Sequence, residues 1–158
     1  MTAMKPQRTV PVWDLPTRIV HWCLPVASTA LFVSAYTFEM DAHALLGEAV
    51  LVLVLFRLAW GFVGSETARF RNFVVGPRRI AGYLAGGEPN SLGHNPLGAL
   101  MVLALLGALL ALAVSGLFAD DGIFYRGPLA DRISHAQAVR IGELHAAGAY
   151  ALAGLAGL

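Results

Sequence analysis

Twenty-three consecutive residues, Leu97 to Ala119, contain no charged side chain, and Ser115 is their main polar group. A bilayer core about 30 Å thick is crossed by about 20 mostly apolar residues in helical form. A helix is the form that satisfies every backbone polar group within one segment. This run is therefore expected to span a membrane, and it sets the class of the whole 158-residue chain. At 57% hydrophobic and 13% charged residues, the composition is too apolar for an ordinary soluble domain of this size.

Three further segments approach the same length. Residues 19–36 are interrupted by Pro25, which membrane helices tolerate when neighbours satisfy the freed carbonyl. Residues 44–63 carry Glu48 and Arg57. A fourth segment, 141–158, is still apolar at Leu158, about five residues short of a comfortable crossing, and reads as a truncated helix. The expectation is a single all-α membrane domain over residues 1–158, an integral-membrane four-helix bundle with spans at 19–36, 44–63, 97–119 and 141–158.

Orientation follows from lysines and arginines in the flanks and short loops. Lys5, Arg8, Arg18, Arg69, Arg71, Arg78 and Arg79 fall on one side, against Arg126, Arg132 and Arg140 on the other. Seven against three places the N-terminus and the loop 64–96 in the cytoplasm and the loop 120–140 in the periplasm. Within the first loop, Phe70, Phe73, Val74 and Val75 are interspersed with arginines, and Pro77 can open a short helix through Tyr83. That segment is expected to lie along the membrane surface, with turn-forming Gly86, Gly87, Pro89 and Asn90 behind it. No internal repeat or low-complexity tract stands out. Residues 1–17 lack the apolar core of a secretory signal, so the first span is expected to stay in the mature chain.

The net charge of +1 and the scattered arginines give no footprint for nucleic acid. The single cysteine, Cys23, excludes an internal disulfide, a cysteine-held iron–sulfur cluster and covalent haem attachment through two thiols.

Histidine carries the chemistry. His21, His43 and His145 sit near the ends of the apolar segments, where ionisable residues are functional candidates, and neutral imidazole is a common ligand of haem iron. By the topology above, His43 and His145 enter their spans from the periplasmic side at similar depth, so they can face each other across one flat ligand. Gly47, four places after His43, and Gly148, three after His145, share the faces of their histidines and would admit a porphyrin. Small residues also serve plain helix packing, and it is the two level histidines that favour haem. His21 has no partner at its own depth. Fourteen helical residues advance about 21 Å and return to within about 40° of the same face, so fourteen places beyond His145, immediately after Leu158, is a position where a ligand for His21 could lie.

The remaining polar residues divide into bland and functional readings. His94 fits a capping role, His135 reads as solvated, and Glu143 as interfacial. Glu48 lies about 140° around the helix from His43 and faces elsewhere.

Taken together, Trp13-Asp14-Leu15-Pro16-Thr17-Arg18 with His21-Trp22, His43 with Gly47, Phe56-Arg57-Leu58-Ala59-Trp60-Gly61-Phe62-Val63-Gly64, Arg69-Phe70, Gly76-Pro77-Arg78, Tyr83-Leu84, Gly93-His94-Asn95-Pro96 and Glu143-Leu144-His145 resemble the bacterial cytochrome b561 and nickel–iron-hydrogenase-type cytochrome b family. The resemblance covers nearly the whole chain. It implies a four-helix inner-membrane protein with two b-type haems, held non-covalently and each between two histidines. It makes His43 and His145 the periplasmic-side pair and His21 one ligand of the cytoplasmic-side haem. Arg18 and Arg57 then suit haem propionates, because fixed cations suit carboxylates.

Bis-histidine ligation fills both axial positions of the iron and leaves one-electron transfer as its chemistry. The function expected is electron transfer between the quinone pool and a redox partner at the periplasmic face, quinone and partner both being implied by the resemblance; with a quinone implied, a proton donor at its site is the lesser reading of His94, and Glu48 would face another helix, a partner subunit or a quinone pocket. One or two haems remain open at this point, since the chain supplies three of the four histidines. The alternatives are a haem-free membrane anchor or assembly subunit with histidines hydrogen-bonded across helices, and a proton-coupled transporter using Glu48, for which four spans leave little room.

Overall fold

The structure is a computed structural model that describes residues 13–87 and 95–157. Lys5, Arg8, Pro89, Asn90, His94 and Leu158, all used in the sequence reading, lie outside the described residues.

The described residues are all-helical: α1 (Leu15–Tyr36), α2 (Met40–Val63), α3 (Phe70–Phe73), α4 (Pro77–Leu84), α5 (Pro96–Phe118) and α6 (His135–Ala156), with one 3-10 turn among them at Ala130–Arg132. Among the described residues the one β pairing is an isolated bridge between Asp120 and Arg126. Three helices, α1, α2 and α5, are long and apolar enough to cross a membrane. The fourth long helix, α6, has 22 residues, but its first turns carry an Arg140–Glu143 ion pair at 2.6 Å, and it does not reach the apolarity of the other three.

Each long helix starts earlier than its apolar run, and polar side-chain caps extend three of them, α1, α5 and α6. Asp14 caps α1, its carboxylate accepting from Thr17 N–H at 2.9 Å, ahead of a proline in the first turn, where a missing N–H costs nothing. Asn95 followed by Pro96 does the same for α5. A capping box of Ser134 and Gln137 opens α6 at residue 135, so the interhelical loop expected over 120–140 ends six residues sooner. The short helix expected from Pro77 is present as α4.

α1 packs on α2, α2 on α5, and α5 on α6. Val50, Val54, Leu106, Leu109 and Leu152 form the buried knot between α2, α5 and α6, with Leu24 and Leu31 of α1 packed against it. In lipid such a knot holds by close packing rather than by exclusion of water.

Two connections set the registers that matter for function. Between α1 and α2 the chain turns in three residues with Phe38 at φ 60, a left-handed conformation uncommon outside glycine. Thr37, Phe38 and Glu39 bond back to Val33, Ala35 and Ser34. The first turn of α2 is thereby set beside the last turn of α1. Between α5 and α6, Asp120 N–H donates to Ala138 O at 3.1 Å, while Gly127 N–H and Leu129 N–H donate to Ala119 O and Leu117 O at 2.8 Å. Asp120, 5% exposed, is bridged by Arg126 and approached by His135 Nδ1, each at 3.2 Å. His135 is exposed, as read from the sequence, and also borders this carboxylate.

At the other end of α2, Trp60 Nε1 donates to Asp14 at 2.8 Å. Burial opposes ionisation of Asp14, but hydrogen bonds from Ser65, Thr17 and Trp60 outweigh it and hold the carboxyl far below its ordinary value of 3.8. A depressed folded-state value adds stability that is present above pH 3.8 and lost as pH falls toward the folded value. Asp14→Ala removes both the cap and the α1–α2 tie, and is expected to lower stability by about 1–2 kcal/mol. Thermal unfolding in detergent at pH 7 should show the loss, and the gap to wild type should narrow on acidification below about pH 4. An unchanged midpoint at pH 7 would contradict this role.

Candidate cofactor site

His43 lies in the first turn of α2 and His145 in the third turn of α6, on helices separated by α5. Their ring centroids are 6.2 Å apart with planes at 80°. Two imidazoles sharing one metal need a spacing of roughly 6 Å, made of two metal–nitrogen bonds of about 2 Å and the half-widths of two rings. Both side chains are partly buried.

Hydrogen bonds determine which nitrogen of each ring is left for a ligand. Nδ1 of His43 lies 3.0 Å from Leu31 O and 3.2 Å from Ser34 Oγ. A carbonyl can only accept, so Nδ1 carries the proton and Nε2 is the free nitrogen. Nδ1 of His145 lies 3.0 Å from Ser115 Oγ and is also bonded to the Leu112 backbone. Ser115 commits its own proton to Leu112 O at 2.9 Å, so its oxygen accepts from Nδ1 and again leaves Nε2 free.

The two rings border a cavity of about 880 Å³, within the range of small-molecule and cofactor sites. Leu31, Val50, Leu109, Leu112 and Leu152 contribute apolar wall. Ala113, Gly116, Ala146 and Ala149 keep that wall low enough for a large flat ligand, while Gly142 beside them makes room for the Asp120 backbone. Gly47 also lines it, and a Cβ built there meets nothing within 4 Å. Two neutral imidazole nitrogens, an apolar wall and a floor of small residues fit a haem.

Other residues singled out from the sequence take different places. Gly148 is turned to α5, where a Cβ would come within 3.0 Å of Leu112, so it serves helix packing beside the site. Glu48 borders the cavity together with Tyr125 and Asp121, and not a separate surface as its helical angle suggested. Burial and the negative charge of Glu48 push the Tyr125 hydroxyl above its ordinary value. Asp121 is opposed by burial, yet the N–H groups of Tyr125, Ile123 and Phe124 hold its carboxyl below the usual range.

His21, Arg18 and Arg57 lie away from the cavity. His21 is exposed, and among the described residues its ring neighbours are Trp13 at 5.9 Å and Trp22 at 5.7 Å. Arg18 is exposed as well. Arg57 is 7% exposed, with its guanidinium 5.0 Å over the Phe70 ring and one nitrogen 3.4 Å from Ala68 O. Its other terminal nitrogen is buried with no hydrogen-bond partner. Arg57 stands fourteen residues beyond His43 on α2 and His21 thirteen before Ser34 on α1, each about 20 Å along its helix from the level of the histidine pair.

Ser34 and Gly116 were not singled out as site residues from the sequence, and Ser115 was noted only as polar. The signal available was a short one: Leu31-Phe32-Val33-Ser34 and Leu112-Ala113-Val114-Ser115 share one spacing. A Cβ on Gly116 would stand 3.2 Å from Cε1 of His145, so the ring rests on bare backbone.

The sequence profile of the prokaryotic cytochrome b561 family matches residues 12–158. The chain belongs to this family. It is accordingly a membrane b-type cytochrome of electron transfer in a bacterial membrane, as the cytochrome b561 resemblance of its motifs implied. No curated protein and no solved structure matches it.

Gly47 offers a direct check of the cavity. Gly47→Ala places its methyl in open space and should leave both fold and haem content near wild type. Gly47→Leu should project into the cavity and lower haem content several-fold while the helical circular dichroism stays unchanged. Haem content equal to wild type in Gly47→Leu would mean that the cavity is not where haem binds.

Proposed function

We propose that this cytochrome holds one haem between His43 and His145 in the 880 Å³ cavity, and a second one on the opposite side of the membrane with His21 as a ligand. The observation that carries the reading is the 6.2 Å juxtaposition of the two rings, with Nε2 free on both. When bound, a bis-histidine haem supplies one-electron transfer without an open coordination site. The chain's own residues position the rings, exclude water from between the helices and supply cations for carboxylates.

The proposed arrangement is a single membrane domain in which α6 is the fourth span beside α1, α2 and α5. The N-terminus and the 64–96 segment face the cytoplasm, and the α5–α6 loop faces the periplasm of an inner membrane. Support comes from the arginine count of the flanks. Gly47 lines the first haem site, while Gly148 supports it by packing on α5. Arg57 is proposed to serve the second haem. Its unpartnered buried nitrogen suits a propionate, since a buried cation is costly until its charge is met, and Arg18 at the rim of the same end can reach an exposed carboxylate. The electron route runs between quinone and a redox partner at the periplasmic face; both come from the family resemblance.

The test is spectroscopic. Dithionite-reduced protein in detergent should show a b-type α band. His43→Ala and His145→Ala should each remove or displace the same haem, about half the total, and His21→Ala the other. A wild-type spectrum without a reduced α band would overturn the reading, and unchanged spectra in all three variants would favour histidines that merely tie helices together.

A further inference from the structure

Two serines on different helices make the same contact with the two histidines. Ser34 Oγ donates to Leu31 O at 3.0 Å and lies 3.2 Å from His43 Nδ1. Ser115 Oγ donates to Leu112 O at 2.9 Å and lies 3.0 Å from His145 Nδ1. In each case the serine stands three residues after the leucine in a Leu-x-Val-Ser pattern, on the helix that precedes the histidine's own helix and packs against it. Ser34 is 6% exposed. Both valines face outward, at 57% exposure for Val33 and 40% for Val114, so each serine is directed inward by the turn of its helix.

We propose that Ser34 and Ser115 are paired positioning residues that set the ring orientation and raise the electron-donating strength of His43 and His145, and through them tune the reduction potential of the haem between them. The inference rests on the bis-histidine reading of the same site. A serine whose proton is committed to a carbonyl offers its oxygen only as an acceptor. Alongside the leucine carbonyl, which lies 3.0 Å from Nδ1 of His43 and is likewise bonded at His145, it adds a second pull on the Nδ1 proton, which makes the opposite nitrogen a stronger donor to iron. A stronger donor stabilises the oxidised metal more than the reduced one, so the two serines hold the potential low. The device is symmetric across the ligand because each half of the bundle, α1 with α2 and α5 with α6, contributes one serine and one histidine.

The experiment is a spectroscopic redox titration of wild type, Ser34→Ala, Ser115→Ala, Ser34→Thr and Ser115→Thr in detergent, with haem content measured alongside. Threonine keeps a hydroxyl able to bond the carbonyl one turn back. Each alanine variant is expected to keep its haem and to shift the ferric-to-ferrous stability ratio of one haem by up to about tenfold, which is a rise of up to about 59 mV for one electron. The shift should be confined to the haem that His43→Ala removes, and the threonine variants should return towards wild type. If an alanine variant loses that haem while its threonine counterpart keeps it, the hydroxyl is still assigned the holding role. Haem-loaded alanine variants with wild-type potentials would overturn the proposal, as would equal haem loss in alanine and threonine variants. Wild-type protein that holds no haem would instead overturn the bis-histidine reading, and this inference with it.

Discussion

Two imidazoles on non-adjacent helices, 6.2 Å apart and each tied at Nδ1, are the constraint on which the rest of the structure depends. Rings at that spacing cannot be brought together by side-chain choice alone. α2 must begin level with the end of α1, which the three-residue turn through Phe38 accomplishes, and α6 must run back along α5 from a fixed start. Asp120 supplies that start, its backbone bonded to Ala138 and its carboxylate held by Arg126. The loops therefore do more than connect spans: they fix helix registers to within about one residue, a 1.5 Å step.

The space between the rings is maintained by what surrounds it. The knot of Val50, Val54, Leu106, Leu109 and Leu152 closes one end, and three of its members also line the cavity. Gly47, Gly116 and the alanines of α5 and α6 leave its walls shallow. A bundle without a large ligand would be expected to fill such a volume with side chains, because membrane helices associate through close packing of small residues. Here Gly47 lines the cavity with open space before it, whereas Gly148 contacts Leu112 of the neighbouring helix.

Much of this was legible in the sequence, for reasons that also explain what was not. Uncharged runs of bilayer length identify membrane helices by composition alone, and the pairing of His43 with His145 follows from their matching depth. Helix starts were misjudged by one to six residues because apolar counting sees only the part inside lipid, whereas Asp14, Asn95 and Ser134 extend the helices through their caps. Helical angles placed Glu48 away from His43, yet both border the cavity, since a wide ligand space spans more of a helix circumference than one face. Gly148 illustrates the converse: a spacing of three puts it on the face of His145 but does not say which neighbour that face meets. The serines were the hardest to read, because the partner of a side chain in one helix depends on the register of the next.

Diffraction from haem-loaded crystals at the iron absorption edge would locate the metal that His43 and His145 are proposed to share. An anomalous peak is expected midway between the two rings, within about 2 Å of each Nε2; a haem iron located elsewhere, with these two imidazoles left unligated, would rule the shared ligation out.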